Sequence, residues 1–269
     1  MIDVSIIIPF FNSEKTIGNS LSSILEIEIP NGMGVEIICV DDGSEDQSFE
    51  TVERYLKRIK SKGFFTSIIR QENKGPAAAR NRAIMEAQGD WISFLDADDK
   101  WLPERFIFLY PLLLQANFDL ICHSEFVRDF GSDKFLRVNN YGLHFSFKEL
   151  LTRGNCLSPS ATIVKKSVLI EAGCFCEDLD KRGVEDYDLW LRLSSQGTSL
   201  LAMSDALGVY YRHDKNLSNR YDFYDRVNKL LLKHWKREKV GLSITIGVCL
   251  HIFRNFLKKY FKCIFGILR

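Results

Sequence analysis

Three groups of carboxylates have a spacing that could do chemistry. Leu95-Asp96-Ala97-Asp98-Asp99 sets acids at alternate positions directly after an apolar run, Trp91 to Leu95. Carboxylate oxygens in a water-accessible site suit Mg²⁺ or Mn²⁺, which can neutralise a diphosphate and stabilise it as a leaving group. An isolated D-x-D of this kind also reads as a solvated acidic turn. Asp41-Asp42-Gly43-Ser44 follows a second apolar run, Val35 to Val40. It is a turn with a good helix cap, or a place where Asp41 accepts a hydrogen bond from a nucleobase or ribose. The third group, Glu185 and Asp186, opens a stretch in which Leu189 and Leu193 recur at helical spacing. Both acids could simply cap that helix, whose N-terminus favours negative charge. Alternatively, a carboxylate there takes the proton of an attacking hydroxyl.

These acids need elements that bring them together. The first hundred residues alternate strand and helix signals, the pattern of a parallel sheet with crossover helices. Val4 to Ile8 reads as a strand ended by Pro9, and Ile17, Leu21, Ile24 and Leu25 fall on one helical face. Val35 to Val40 is a second strand, and Phe49, Val52, Leu56 and Ile59 mark the next helix. Phe64 to Arg70 is a third strand. Asn73-Lys74-Gly75 then leads to Pro76, suited to the first turn of a helix through Gln88 that carries Arg80 and Asn81. Trp91 to Leu95 is the fourth strand. In an open parallel sheet ligands sit beyond the carboxyl ends of the strands, so the first two acidic groups converge on the binding edge. The second half is less regular, with a helix near Glu104 to Gln115, short strands near Leu120 and Thr162 and a helix after Glu185. Its sheet order is not assigned.

Taken in order, Ser5-Ile6-Ile7-Ile8-Pro9-Phe10-Phe11-Asn12, Val40-Asp41-Asp42-Gly43-Ser44, Asn73-Lys74-Gly75 with Ala79-Arg80-Asn81, Phe94 to Asp99 and Glu185 to Trp190 resemble glycosyltransferase family 2 over about residues 4 to 213. The resemblance implies the GT-A fold, a Rossmann-like α/β architecture with a mixed, mainly parallel sheet flanked by helices. It implies an inverting transfer from a nucleotide-diphosphate sugar, such as a UDP-sugar, to an acceptor hydroxyl. By the same resemblance Asp41 would contact the base, with Pro9 and Glu14 lining the nucleoside pocket and Arg80 nearby. Asp96 would touch the ribose, Asp98 would hold Mg²⁺ or Mn²⁺, and Asp186 matches the general base. Glu185 and Trp190 become candidates for the acceptor side. His213, in Tyr211-Arg212-His213, would either complete the metal shell or serve only the structure. A nucleotidyltransferase would also use metal-bound carboxylates, but no G-x-G-T-R type loop follows the first strand. A non-catalytic nucleotide-sugar-binding protein is the other alternative, which the presence of both Asp98 and Asp186 opposes.

Composition sets the remaining bounds. With 46% hydrophobic and 26% charged residues in 269, the chain suits one globular catalytic unit and excludes a disordered or collagen-like one. The seven cysteines are an odd number and contain no C-x-x-C pair, so reduced structural thiols are expected. The overall charge of +1 hides an asymmetry. Lys229 to Arg269 holds ten Lys or Arg against one Glu, a net +9, which leaves −8 on the residues before it. The expected organisation is therefore a catalytic domain, residues 1–228, and a basic amphipathic tail, residues 229–269. From Gly241 onward Phe253, Phe256, Leu257, Tyr260, Phe261, Ile264, Phe265 and Leu268 cluster against Arg254, Lys258 and Lys262. Such a helix could lie on an anionic membrane surface, pack on the domain or form a dimer interface. No secretory signal or uncharged stretch of roughly 20 apolar residues is present, so a cytoplasmic location, peripheral on the inner face of the cell membrane, is expected. A saccharide or lipid-linked saccharide acceptor in bacterial surface-polysaccharide or lipopolysaccharide synthesis would fit that place. A nucleic-acid partner is not expected. The tail is expected to be separable from catalysis.

Overall fold

The computed structural model describes residues 2–214, 216–238 and 240–267, with the side chains of Leu179 and residues 261–267 excepted. Strands β1 (Val4–Phe10) and β2 (Val35–Asp41) are buried along their whole length. That suits central strands covered on both faces by helices. With β3 (Phe65–Arg70) and β4 (Trp91–Phe94) they form a parallel set in the order β3-β2-β1-β4. Helices α1 (Ile17–Glu26), α2 (Ser48–Ser61) and α3 (Pro76–Glu86) make the crossovers. The first strand thus has β2 on one side and β4 on the other, so the loops leaving β1 and β4 diverge and open a crevice between them.

Beyond β4 the sheet turns mixed, and nine strands are present among the described residues. Its second half contains β5 (Lys100–Trp101), β6 (Leu120–Asp129), β7 (Phe135–Asn139), β8 (Thr162–Lys165) and β9 (Leu200–Arg212). The order continues β4-β8-β6-β9-β5, with β7 paired to β6. The short strand expected near Leu120 is ten residues long, and the thirteen-residue β9 has no counterpart among the expected elements. The two strands pair in parallel from Leu120 and Leu200 to Asp129 and Arg212, and that pairing satisfies their backbone groups where local pattern is weak.

Side-chain alternation in β1 divides the core. Ile6, Ile8 and Phe10 join α1, α2 and α4 (Arg105–Gln115) on one face. On the other, Ile7 joins α3, α5 (Phe147–Arg153), α6 (Lys166–Glu171), α7 (Glu185–Ser195) and α8 (Phe223–Arg237). Ser146 caps the start of α5: its Oγ accepts from Glu149 N at 3.2 Å and donates to Glu149 Oε2 at 2.8 Å.

The final helix, α9 (Leu242–Ile267), packs on this second face. Val248 is buried in the same core cluster as Leu150 and Leu151 of α5 and Leu230 and Leu231 of α8, with Ile244 and Ile252 beside it. Asn255 Nδ2 donates to Asn228 Oδ1 at 2.9 Å. Position 228/229 falls inside α8, whose Val227 and Leu230 are both buried. The tail is therefore seated on the domain, because α5 and α8 leave an apolar groove that only α9 fills. The side chains of Phe261, Lys262, Ile264 and Phe265, and Leu268 as a whole, lie outside the described residues. Among the described residues the cysteines are free thiols, and no helix is long and apolar enough to cross a membrane.

Candidate active site

A cleft of about 1180 Å³ opens at the carboxyl ends of β1, β2 and β4, and Pro9, Glu14, Arg80, Asp96, Asp98, Glu185, Asp186 and His213 all line it. Arg80 binds three elements together there. Its side chain is buried on α3, where Nη2 meets Asp96 Oδ1 at 2.6 Å and Nη1 meets Glu185 Oε1 at 3.1 Å. Burial works against its charge, but Asp96 and Glu185 outweigh that and hold the guanidinium protonated. The loop after β4 and the N-terminus of α7, 105 residues from Arg80 in sequence, are thereby clamped.

The three acids after β4 have separate tasks. Asp96 pairs with Arg80. Asp99 is buried and accepts from Ser160 Oγ at 2.7 Å and Tyr211 N at 3.2 Å. Burial, and after it the neighbouring Asp98, push its carboxyl well above the usual range. The bond to Tyr211 brings the end of β9 against this loop, and two residues on, His213 Nε2 reaches Asp98 Oδ2 at 2.8 Å. Asn216 orients the segment by accepting from His213 N at 2.7 Å. An imidazole nitrogen and a carboxylate oxygen thus converge on one point in the cleft.

In the same cleft Asp186 sits at the start of α7 and accepts from Asn155 Nδ2 at 2.9 Å. Burial and then the adjacent Glu185 push its carboxyl up to about 7, against the Tyr187 backbone N–H, Arg80 and Asn155. A carboxyl tuned near neutrality, facing a large cleft, can accept a proton efficiently.

Two expected site residues are not brought to the cleft wall. Asp41 is fully buried at the end of β2, where Arg70 Nε stands 3.1 Å away and Ser44 N donates to it at 2.8 Å. Consecutive residues leaving a strand point to opposite sides, so its neighbour Asp42 takes the cleft-lining position. Asp42 also fixes the entry to α3 by accepting from Lys74 N at 2.9 Å and Gly75 N at 2.7 Å. Trp190 is fully buried, one turn below Asp186, where α7 is enclosed by the core. Asn155, Asn216 and Asp42 are site residues that sequence reasoning passed over. Asp42 stood inside a quoted motif, whereas Asn155 and Asn216 lie in irregular segments with no pattern to mark them.

The cleft wall carries Glu14, Asp42, Glu45, Asp46, Asp96, Asp98, Glu185, Asp186 and Asp214 against Lys15, Arg80 and Arg182. Such an excess of negative charge disfavours a free anion, and a bound cation would offset it. No group of three or more His, Cys, Asp or Glu side chains gathers for a metal among the described residues. The donor set at hand is Asp98 and His213.

Residues 5–171 match the family model described as glycosyl transferase family 2. The chain belongs to that family. It is 30% identical over 194 residues, 71% of this chain and 69% of the relative, to the Escherichia coli UDP-Glc:alpha-D-GlcNAc-diphosphoundecaprenol beta-1,3-glucosyltransferase WfgD. The putative teichuronic acid biosynthesis glycosyltransferase TuaG of Bacillus subtilis is 27% identical over 231 residues, 80% of this chain and 81% of the relative. An uncharacterized Haemophilus influenzae glycosyltransferase is 40% identical over 121 residues, 45% of this chain, and the match spans only 43% of its own length. The Staphylococcus aureus TarS structure, residues 1–349 with UDP-GlcNAc, superimposes with TM-score 0.71 at 20% identity over 96% of this chain and 73% of that one. That likeness establishes the GT-A fold for this family 2 chain.

The Arg80 clamp is testable through stability. Replacing Arg80 by Met leaves the buried Glu185 and the half-buried Asp96 without their cation, and urea unfolding should show a loss of about 3 kcal/mol. A second change, Glu185→Gln, should recover part of that loss.

Proposed function

We propose that this chain is an inverting, metal-assisted glycosyltransferase that moves a sugar from a nucleotide-diphosphate donor, by preference a UDP-sugar, to an acceptor hydroxyl. The observation that carries this reading is that Asp186, with its carboxyl near 7, and the Asp98–His213 pair line one cleft. Asp98 and His213 would hold Mg²⁺ or Mn²⁺, with the remaining positions left to diphosphate oxygens and water. When bound, the cation supplies the positive charge that a leaving diphosphate needs in this acidic cleft. Pro9 and Glu14 line the nucleoside end, where Asp42 now takes the part expected of Asp41. Asp186 accepts the acceptor's hydroxyl proton as the oxygen bonds to the anomeric carbon. The carbon–oxygen bond to the diphosphate breaks on the opposite face, and the nucleoside diphosphate leaves with the electron pair. One displacement inverts the anomeric centre and needs no enzyme nucleophile.

The acceptor class is read as a saccharide, free or carried on lipid, in bacterial surface-polysaccharide or lipopolysaccharide synthesis. In support, WfgD is named for a GlcNAc-diphosphoundecaprenol acceptor, TuaG for teichuronic acid biosynthesis and TarS for poly(ribitol-phosphate), and TarS structures were solved with UDP and UDP-GlcNAc. The catalytic residues all fall within 1–228, the expected catalytic domain. On α9 the exposed residues Leu242, Ile246, Leu250, Phe253, Phe256 and Tyr260 recur at helical spacing along the side away from the core. With Arg254 and Lys258 alongside, this stripe suits an anionic cytoplasmic membrane surface near such an acceptor.

Asp186→Asn should keep UDP affinity and lower turnover by at least about 10²-fold. In the unaltered protein kcat/KM should rise with pH through about 7, since the base works only when ionised. A pH-independent profile and near-normal turnover in the variant would remove Asp186 from this role.

Chelation with EDTA should abolish transfer and Mn²⁺ should restore it, while Asp98→Ala should weaken UDP binding in the presence of Mn²⁺. Transfer that survives exhaustive chelation counts against the metal.

For the membrane surface, Leu250→Asp with Phe253→Asp should move the protein off phosphatidylglycerol vesicles in co-sedimentation. Equal binding by the double variant and the unaltered chain would exclude this face as the contact.

A further inference from the structure

The segment that carries Asn155 is unusual in how it is held. Helix α5 is only seven residues long, too short to stand without its neighbours. Leu150 O accepts from Gly154 N at 3.1 Å, but the carbonyls after it have no partner within the helix. Leu150 O also accepts from the Tyr187 hydroxyl of α7, next to Asp186. Leu151 O accepts from His251 Nδ1 at 2.9 Å and Arg153 O from Arg254 Nη2 at 3.1 Å, both on α9. Since a carbonyl can only accept, His251 carries its proton on Nδ1, and burial, the largest effect, keeps its pKa below the usual range. The two helices touch closely, because a Cβ on Gly247 would stand 2.4 Å from Thr152 Cγ2. The chain then leaves α5 through Gly154, at φ +112°, against the His251 ring. Asn155 comes next. Its Oδ1 accepts from Leu157 N at 3.1 Å, which orients the amide so that Nδ2 donates to Asp186 Oδ2 at 2.9 Å.

We propose that Asn155 is a positioning residue for Asp186 and that α9, by capping the C-terminal end of α5, holds Asn155 in place. This rests on Asp186 being the base. The C-terminal helix is then part of the support of the active site, whatever surface its outer face meets. The groups facing Asp186 are Glu185 on its own helix, Arg80 from α3 and the Asn155 amide, and only the last depends on α9. A hydrogen bond to an ionised carboxylate favours that form, so removing the donor raises the pH at which Asp186 ionises.

The experiment is a pH profile of kcat/KM together with UDP binding by calorimetry. Asn155→Ala should move the acid limb to higher pH and lower turnover at pH 7 by about 10-fold, with UDP affinity unchanged. In an Asp186→Asn background the same substitution should add nothing further. Gly247→Leu and His251→Ala, both outside the cleft, should move the limb in the same direction. His251→Gln, which retains a donor for Leu151 O, should move it back. If Gly247→Leu does not fold, the two His251 variants decide. An acid limb that stays in place in Asn155→Ala, or losses that simply multiply with Asp186→Asn, would overturn the positioning role. Unmoved limbs in folded Gly247→Leu and in His251→Ala would overturn the part given to α9. Near-normal turnover in Asp186→Asn alone overturns the base itself and is thereby told apart from both.

Discussion

A guanidinium buried in a protein must find carboxylates, and a carboxylate buried beside another needs a cation between them. Arg80 answers both demands at once. It sits on the first helical turns after β3, yet its two partners come from the end of β4 and from the start of α7. The Rossmann-like half of the chain and the irregular half are thereby joined at the point where their acidic groups meet. Without that contact Asp96 and Glu185 would lose the cation between them, and the N-terminus of α7, which carries Asp186, would lose this tie to α3.

The rest of the site is arranged around this clamp by similar exchanges of buried charge. Asp99 uses its carboxylate on Ser160 and on the backbone of Tyr211, which draws the end of β9 to the loop after β4. His213 then meets Asp98 through a chain of geometry rather than through sequence proximity. On α7, Asp188 accepts from Lys181 Nζ at 2.6 Å, Arg192 Nε at 2.9 Å and His234 Nε2 at 3.1 Å. These contacts, of which burial opposes and hydrogen bonding favours the charged form, leave its carboxyl well below the usual range. They tie α7 to α8 on the side away from the cleft. One end of α7 therefore lines the cleft while its flank is locked to the core.

The C-terminal helix shows how charge asymmetry along a chain can mislead about independence. Ten basic residues follow position 228, of which Lys229, Lys233, Lys236 and Arg237 belong to α8 and Arg254, Lys258, Lys259 and Lys262 to α9. Its inner face, with Val248, His251 and Asn255 buried, meets α5 and α8. A helix with apolar residues on two faces can pack against its own domain and still present an exposed stripe.

Much of this protein is determined by local sequence. The alternating strands and helices of the first hundred residues follow from hydrophobic period, and their carboxyl ends define the binding edge wherever the strands pair in parallel. Asp96, Asp98, Glu185 and Asp186 could be singled out in the sequence not one by one, since an acidic turn or a helix cap explains each alone, but because their motifs occur together and in the order of the family. Tertiary structure decided what the local pattern leaves degenerate. Whether Asp41 or Asp42 faces the cleft depends on one step of side-chain alternation at the end of β2. Whether Trp190 meets an acceptor or the core depends on what encloses α7. Asn155 and the long β9 carry no signal, since an asparagine in a loop and a strand paired at a distance acquire their roles only from partners far away in the chain. The same holds for α9, whose sequence states that it is amphipathic, while the groove between α5 and α8 alone determines which of its faces is buried.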